Sequence, residues 1–131
     1  MTFLLDTQVW LWLQANPHRI PDNVRGRLAD PATRLLLSAV SAWEIAVKYA
    51  LGKLPLPEPP QTYVPSRMRY DSVDGFPVSH THALHVASLP PHHGDPFDRM
   101  LVAQAQLENV TLVTADPQIT KYEVDILWAH S

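Results

Sequence analysis

Short apolar runs at residues 3–5, 35–40, 111–114 and 124–128 read as strands, and the segments between them carry apolar residues at helical spacing. After the first run, Val9, Trp10, Leu11, Trp12 and Leu13 continue a segment too long for a turn, closed by Asn16-Pro17. Pro21 begins a second helix, with Asp22 in its first turn and Val24, Leu28 and Ala29 at helical spacing, and Asp30-Pro31 ends it. Ser41-Ala42-Trp43-Glu44 has the spacing of a capping box, which predicts a helix over 43–51 stopped by Gly52. Residues 54–60 are punctuated by proline and form a connector. Helical character resumes at 63–70, where Pro65 fits only a first turn, and 76–78 reads as a short edge strand. Ser79 caps a helix carrying Ala83, Leu84, Val86 and Ala87, broken at Pro90-Pro91.

The strongest helical signal is 95–108, with Asp95 as cap, Pro96 at the first helical position and Asp98 two residues further. Asp116-Pro117 repeats the cap-plus-proline signal for a brief helix. Strands alternating with helices predict an α/β fold: a mostly parallel central sheet of four to five strands with helices on both faces. Residues 1–131 read as a single domain, without internal repeats or low-complexity tracts.

This arrangement changes the meaning of four carboxylates. Asp6, Glu44, Asp98 and Asp116 each stand where an apolar run gives way to a helix start, or one turn into that helix. In an open parallel sheet the carboxyl ends of strands and the amino ends of the following helices share one crevice, so these acids can converge. Each alone has a local role as a helix cap or first-turn acid. Capping does not explain why Asp6 and Asp116 both follow apolar strands, which must lie side by side to bring them together. Convergent carboxylates repel unless a cation neutralises them, and Mg²⁺ or Mn²⁺ is the ordinary solution for oxygen ligands. A helix amino end also favours the ionised form, so capping and coordination are compatible.

Thr7 and Thr114 flank this set as hydroxyls that can hold a ligating carboxylate or serve as local caps. Asp95 is a supporting acid whose cap role is explicit. Arg99 can contact phosphate, but a structural ion pair with Asp95 is the expectation. His80, His82, His85, His92 and His93 fall in one short span without the i, i+4 pair of a zinc helix, and are expected on the surface or in loops. Trp10, Trp12, Trp43 and Tyr49 are expected mainly in the core, with any exposed part available to a partner.

Composition narrows the classes. The absence of cysteine excludes thiolate metal sites and thiol catalysis and fits a reducing compartment. The opening Met-Thr-Phe-Leu-Leu-Asp lacks a basic leader and turns polar at Asp6, so it reads as a buried strand, neither signal peptide nor membrane span. A net charge of −3 argues against broad phosphate neutralisation, though Arg19, Arg25, Arg27, Arg34, Arg67 and Arg69 are candidates to line a path for a phosphate backbone.

The strings Leu4-Leu5-Asp6-Thr7, Ser41-Ala42-Trp43-Glu44-Ile45, Asp95-Pro96-Phe97-Asp98-Arg99 and Leu112-Val113-Thr114-Ala115-Asp116 occur in an order that resembles the PIN-domain ribonucleases. Within them the chain looks like the VapC-type toxins of bacterial toxin-antitoxin modules. It departs at Gln8, where members frequently carry Asn, Ser or His. The resemblance implies a PIN-like domain with Asp6, Glu44, Asp98 and Asp116 as the acidic metal site and Thr114 as the hydroxyl beside it. It further implies a cytoplasmic, Mg²⁺- or Mn²⁺-dependent endoribonuclease acting by metal-activated water. Such enzymes are commonly homodimers silenced by a cognate antitoxin. A phospho-aspartyl phosphatase also uses an acidic pocket, but its nucleophile loop requires a second Asp where this chain has Gln8. The non-enzymatic alternative is an interaction module whose metal site is structural or vestigial.

Overall fold

A computed structural model of the chain describes residues 1–130. Strand β1 (Thr2–Leu5) leads directly into helix α1 (Thr7–Ala15), with Asp6 as the hinge between them. A 3₁₀ turn (Pro17–Arg19) and helix α2 (Asp22–Leu28) return the chain to β2 (Arg34–Ser38), which runs without a loop into α3 (Ala39–Ala50). Helix α4 (Pro60–Asp71), β3 (Val73–Phe76), α5 (His80–His85) and a 3₁₀ turn (Val86–Ser88) follow. Helix α6 (Pro96–Glu108), β4 (Thr111–Thr114), a 3₁₀ turn (Ile119–Lys121) and β5 (Ile126–Trp128) complete the order.

All five strands are parallel, in the order β3-β2-β1-β4-β5. Alternate residues of the central strands feed opposite layers, as the two-residue period of a strand requires. Phe3, Leu5, Leu37 and Val113 pack with Trp10, Val24 and Tyr63 in the α1, α2 and α4 layer. Leu4, Leu36 and Leu112 face Leu101, Val102 and Ala105 of α6. Both faces being covered, the central strands are apolar without interruption, which is why they were legible as runs.

Chain order reverses between β1 and β4, and that switch point is where a parallel sheet opens a crevice beyond its strand ends. The register Leu5↔Val113 sets Asp6 beside Thr114, and the Asp6 amide donates to the Val113 carbonyl at 2.9 Å.

Several elements differ from the sequence reading, and β3 lies at Val73–Phe76 where 76–78 was expected. Helix α3 starts at Ala39 with Ser38 as its cap, so Ser41 and Glu44 lie inside the helix and not in a capping box. Helix α4 begins at Pro60, which puts Pro65 in its interior. The helical bond lost there is outweighed by burial of Tyr63 and Val64. The aromatic residues also divide. Trp10 is fully buried, whereas Trp43 is 61% exposed and meets Phe97 edge-on, and Tyr49 is exposed. Trp43 lies one residue from the inward-facing Glu44, and that 100° step turns it outward.

Candidate active site

Asp6 is the first residue after β1 and caps α1: its Oδ1 accepts the Gln8 amide at 2.7 Å. Its Oδ2 accepts the Thr114 hydroxyl at 2.7 Å, and the same hydroxyl oxygen accepts the Asp116 amide at 3.0 Å. Thr114, fully buried at the end of β4, therefore locks the acid of one strand to the acid of its neighbour. Asp116 turns its Oδ1 to the Gln118 amide at 2.9 Å, capping a turn ahead of the 3₁₀ segment. The brief helix expected there is only this tighter turn.

From the opposite side, the Thr7 hydroxyl donates to Ser41 Oγ at 2.7 Å, fastening α1 to α3 one turn before Glu44. Glu44 is buried, with Oε2 held by Lys48. Its Oε1 is buried without a hydrogen-bond partner. Asp95 caps α6 through Oδ1, which accepts the Phe97 amide at 2.8 Å and the Asp98 amide at 3.4 Å. That cap aims Asp98 into the same space.

The acids Asp6, Glu44, Asp95, Asp98 and Asp116 share one cavity of about 390 Å³. Its far wall is Leu11, Trp12 and Leu54, with Lys48 and Lys53 beside them. Gly52, in the left-handed conformation at φ 73°, ends α3 and turns Lys53 toward this wall.

Crowding shows in the proton affinities. Burial, then the charges of Asp6, Asp95, Glu44 and Asp116, push Asp98 up to about 8. Burial also raises Asp6, against the lowering effect of its Thr114, Gln8 and Val9 hydrogen bonds. The Glu44 carboxylate raises Lys48. Asp98, Asp116 and His93 bring donor atoms within 4.8 Å of one another, a set able to surround a cation.

The model of the PIN domain family matches residues 3–125. The chain belongs to the PIN domain family. Ribonuclease VapC16 of Mycobacterium tuberculosis is 46% identical over 79 residues, covering 55% of this chain and 56% of that relative. The match thus spans just over half of the relative's length. Among solved structures, VapBC2 from Rickettsia felis bound to a promoter DNA fragment superimposes with TM-score 0.73 at 19% identity, covering 98% of this chain and 99% of that one. DNA-bound VapBC from Salmonella typhimurium gives TM-score 0.69 at 17% identity, covering 97% of each chain. These likenesses establish that the PIN fold extends over nearly the whole chain.

Within this PIN domain the structure brings Asp6, Glu44, Asp98 and Asp116 together, with Thr7, Asp95 and Thr114 bracing them. Arg99 does something other than expected. It makes no ion pair with Asp95 and instead donates to the carbonyls of Pro90, Val86 and Leu89 and to the Tyr122 hydroxyl. Helix geometry carries it away from Asp95 toward the loop that precedes α6.

His93 lies in the loop before α6, as expected, but its ring turns into the site. Its Nε2 lies 2.7 Å from Asp116 Oδ2 and 3.1 Å from Asp98 Oδ2. His82, by contrast, is buried, bonded through Nδ1 to the Ser79 amide and through Nε2 to Glu108. A signal for His93 exists in the chain: it stands two residues before the Asp95 cap, too short a tether to leave the site.

The arginine path is likewise redistributed. Arg25 pairs with Asp22, Arg34 with Asp74, Arg67 bonds Gln14, and Arg19 and Arg27 stack on Trp12 and Phe3. The cations that line the cavity are Lys48 and Lys53, which sequence reasoning passed over.

Proposed function

We propose that this protein is a divalent-metal-dependent endoribonuclease that cuts single-stranded or loop RNA with water as the nucleophile, and that it is the toxin of a toxin-antitoxin pair. The observation that carries the reading is the unpartnered, buried Glu44 Oε1 opening on a cavity that also holds Asp6, Asp98 and Asp116. A buried carboxylate oxygen with no donor is costly, and a hard dication with oxygen ligands removes that cost. The residues fit Mg²⁺ or Mn²⁺, with Asp6, Asp98, Glu44 and Asp116 as the set that would hold it.

When bound, the ion would lower the pKa of a water and offset charge on the phosphoryl oxygens. The protein's own residues supply the rest. Thr114 fixes Asp6, and Asp95 fixes the helix end that presents Asp98. Glu44, with one oxygen tied to Lys48 and the other open, is placed to orient the attacking water and accept its proton. Lys53 on the cavity wall offers a contact for a neighbouring phosphate, and Trp12, stacked under Arg19 at 4.5 Å, offers an apolar surface for a base.

Support for the toxin assignment comes from VapC16 of Mycobacterium tuberculosis, named a ribonuclease, and from the VapBC complexes whose fold the chain shares. On this reading the partners are RNA, a cognate antitoxin and a second copy of the chain, and the setting is cytoplasmic. Among the described residues no helix is long and apolar enough to cross a membrane.

The test is cleavage of a single-stranded RNA by wild type and by Asp98→Asn in Mg²⁺ or Mn²⁺. Wild type is expected to give 5′-phosphate and 3′-hydroxyl ends and to stop in EDTA, with Asp98→Asn inactive. Cleavage at the wild-type rate by Asp98→Asn, or in excess EDTA, rejects the centre. Metal-stimulated RNA binding with no cleavage supports the interaction-module alternative.

A further inference from the structure

We infer that His93 is a positioning residue of the acidic centre: an imidazole whose Nε2–H holds Asp116 in place beside Asp98, without itself ligating the ion. The inference rests on the metal-site reading above and adds a residue to it.

The loop before α6 is built to deliver this ring. Arg99 clamps the carbonyls of Val86, Leu89 and Pro90 and donates to the Tyr122 hydroxyl at 3.1 Å. That hydroxyl accepts the His93 amide at 2.9 Å, which fixes the backbone at the residue concerned. Tyr122 is itself buried against α6.

The ring's proton is assigned by its neighbours. His93 Nδ1 lies 3.1 Å from the Asp95 amide, and a backbone N–H can only donate, so Nδ1 holds the lone pair. The ring proton is then on Nε2, which donates to Asp116 Oδ2 at 2.7 Å, with Asp98 Oδ2 a further contact at 3.1 Å. Ligation through Nε2 would move the proton to Nδ1 and set it against the Asp95 amide. With His93 as donor, both oxygens of Asp116 are held, Oδ1 by the Gln118 amide and Oδ2 by the ring. Without that donor, Asp116 Oδ2 loses its partner and Asp116 can rotate about its side chain.

Mn²⁺ binding read by electron paramagnetic resonance, without RNA, tests the assignment. Loss of an outer hydrogen-bond partner typically weakens metal affinity about 10–100-fold, and His93→Ala is expected to fall in that range. His93→Gln retains an N–H donor of comparable reach and is expected to stay within about threefold of wild type. Bound Mn²⁺ in wild type should show no coupling to an imidazole nitrogen. Long-range proton–nitrogen NMR correlations of the intact wild type should show the Nε2–H tautomer. Wild-type affinity in His93→Ala, equal weakening in both variants, an Nδ1–H tautomer, or an imidazole coupling that disappears in His93→Ala overturns it. Because no step involves RNA, a protein that shows this His93 dependence yet cuts no RNA refutes the nuclease reading and leaves the positioning role standing.

Discussion

Loading the acidic centre with Mg²⁺ or Mn²⁺ is expected to expel about one proton at pH 7. The magnitude follows from Asp98, raised from its ordinary 3.8 to about 8 by burial first and by four neighbouring carboxylates second. A group with that affinity is about nine-tenths protonated at pH 7, about half at pH 8 and about one-tenth at pH 9. A dication favours the ionised form, so the proton leaves as the ion enters. Apparent ion affinity should therefore climb toward about tenfold per pH unit below pH 8 and flatten above it. Titration calorimetry in buffers of different ionisation heat, at pH 7 and pH 9, counts the protons directly. Identical affinities at pH 6 and pH 8, with no proton released, would refute the reasoning.

The same shift governs the ion-free fold. Folded Asp98 keeps its proton up to about pH 8 while the unfolded chain gives it up near 3.8, so the folded state binds more protons throughout that window. Stability must then fall as pH rises from about 4 to about 8, by an amount whose ceiling is on the order of 5 kcal/mol. Added dication should recover much of that loss at pH 8.

Two substitutions probe the surroundings of the centre. Thr114→Val removes the donor to Asp6 and the acceptor of the Asp116 amide, and should lower unfolding free energy in urea by about 1–3 kcal/mol and weaken Mn²⁺ binding. Lys53→Ala should raise KM for RNA with little change in kcat, and reduce the salt slope of binding by about one.

Much of this architecture was legible because the central strands are buried on both faces and so read as unbroken apolar runs. With the strands before Asp6 and Asp116 required to lie side by side, the convergence of these two acids follows from the geometry of parallel strands. Glu44 does line the cavity with the other acids, but the capping box read around it does not form. Ser38 caps α3 by accepting the Val40 amide at 3.1 Å, which leaves Ser41 inside the helix, where its Oγ accepts the Thr7 hydroxyl. Arg99 was weighed against its sequence neighbour Asp95, whereas its position, like that of the His93 backbone, depends on Tyr122, more than twenty residues away. Lys48 and Lys53 escaped attention because charge counting treats every surface cation alike, and only the fold places these two beside the acids.

The central claim is that these distant acids form one dication centre, and anomalous diffraction from crystals soaked in Mn²⁺ tests it most directly. The account predicts a peak within bonding distance of Asp6 and Asp98, facing Glu44 and Asp116, that is absent in Asp98→Asn. A fully soaked crystal with no peak in that cavity, or with its strongest peak held by other residues, would contradict it.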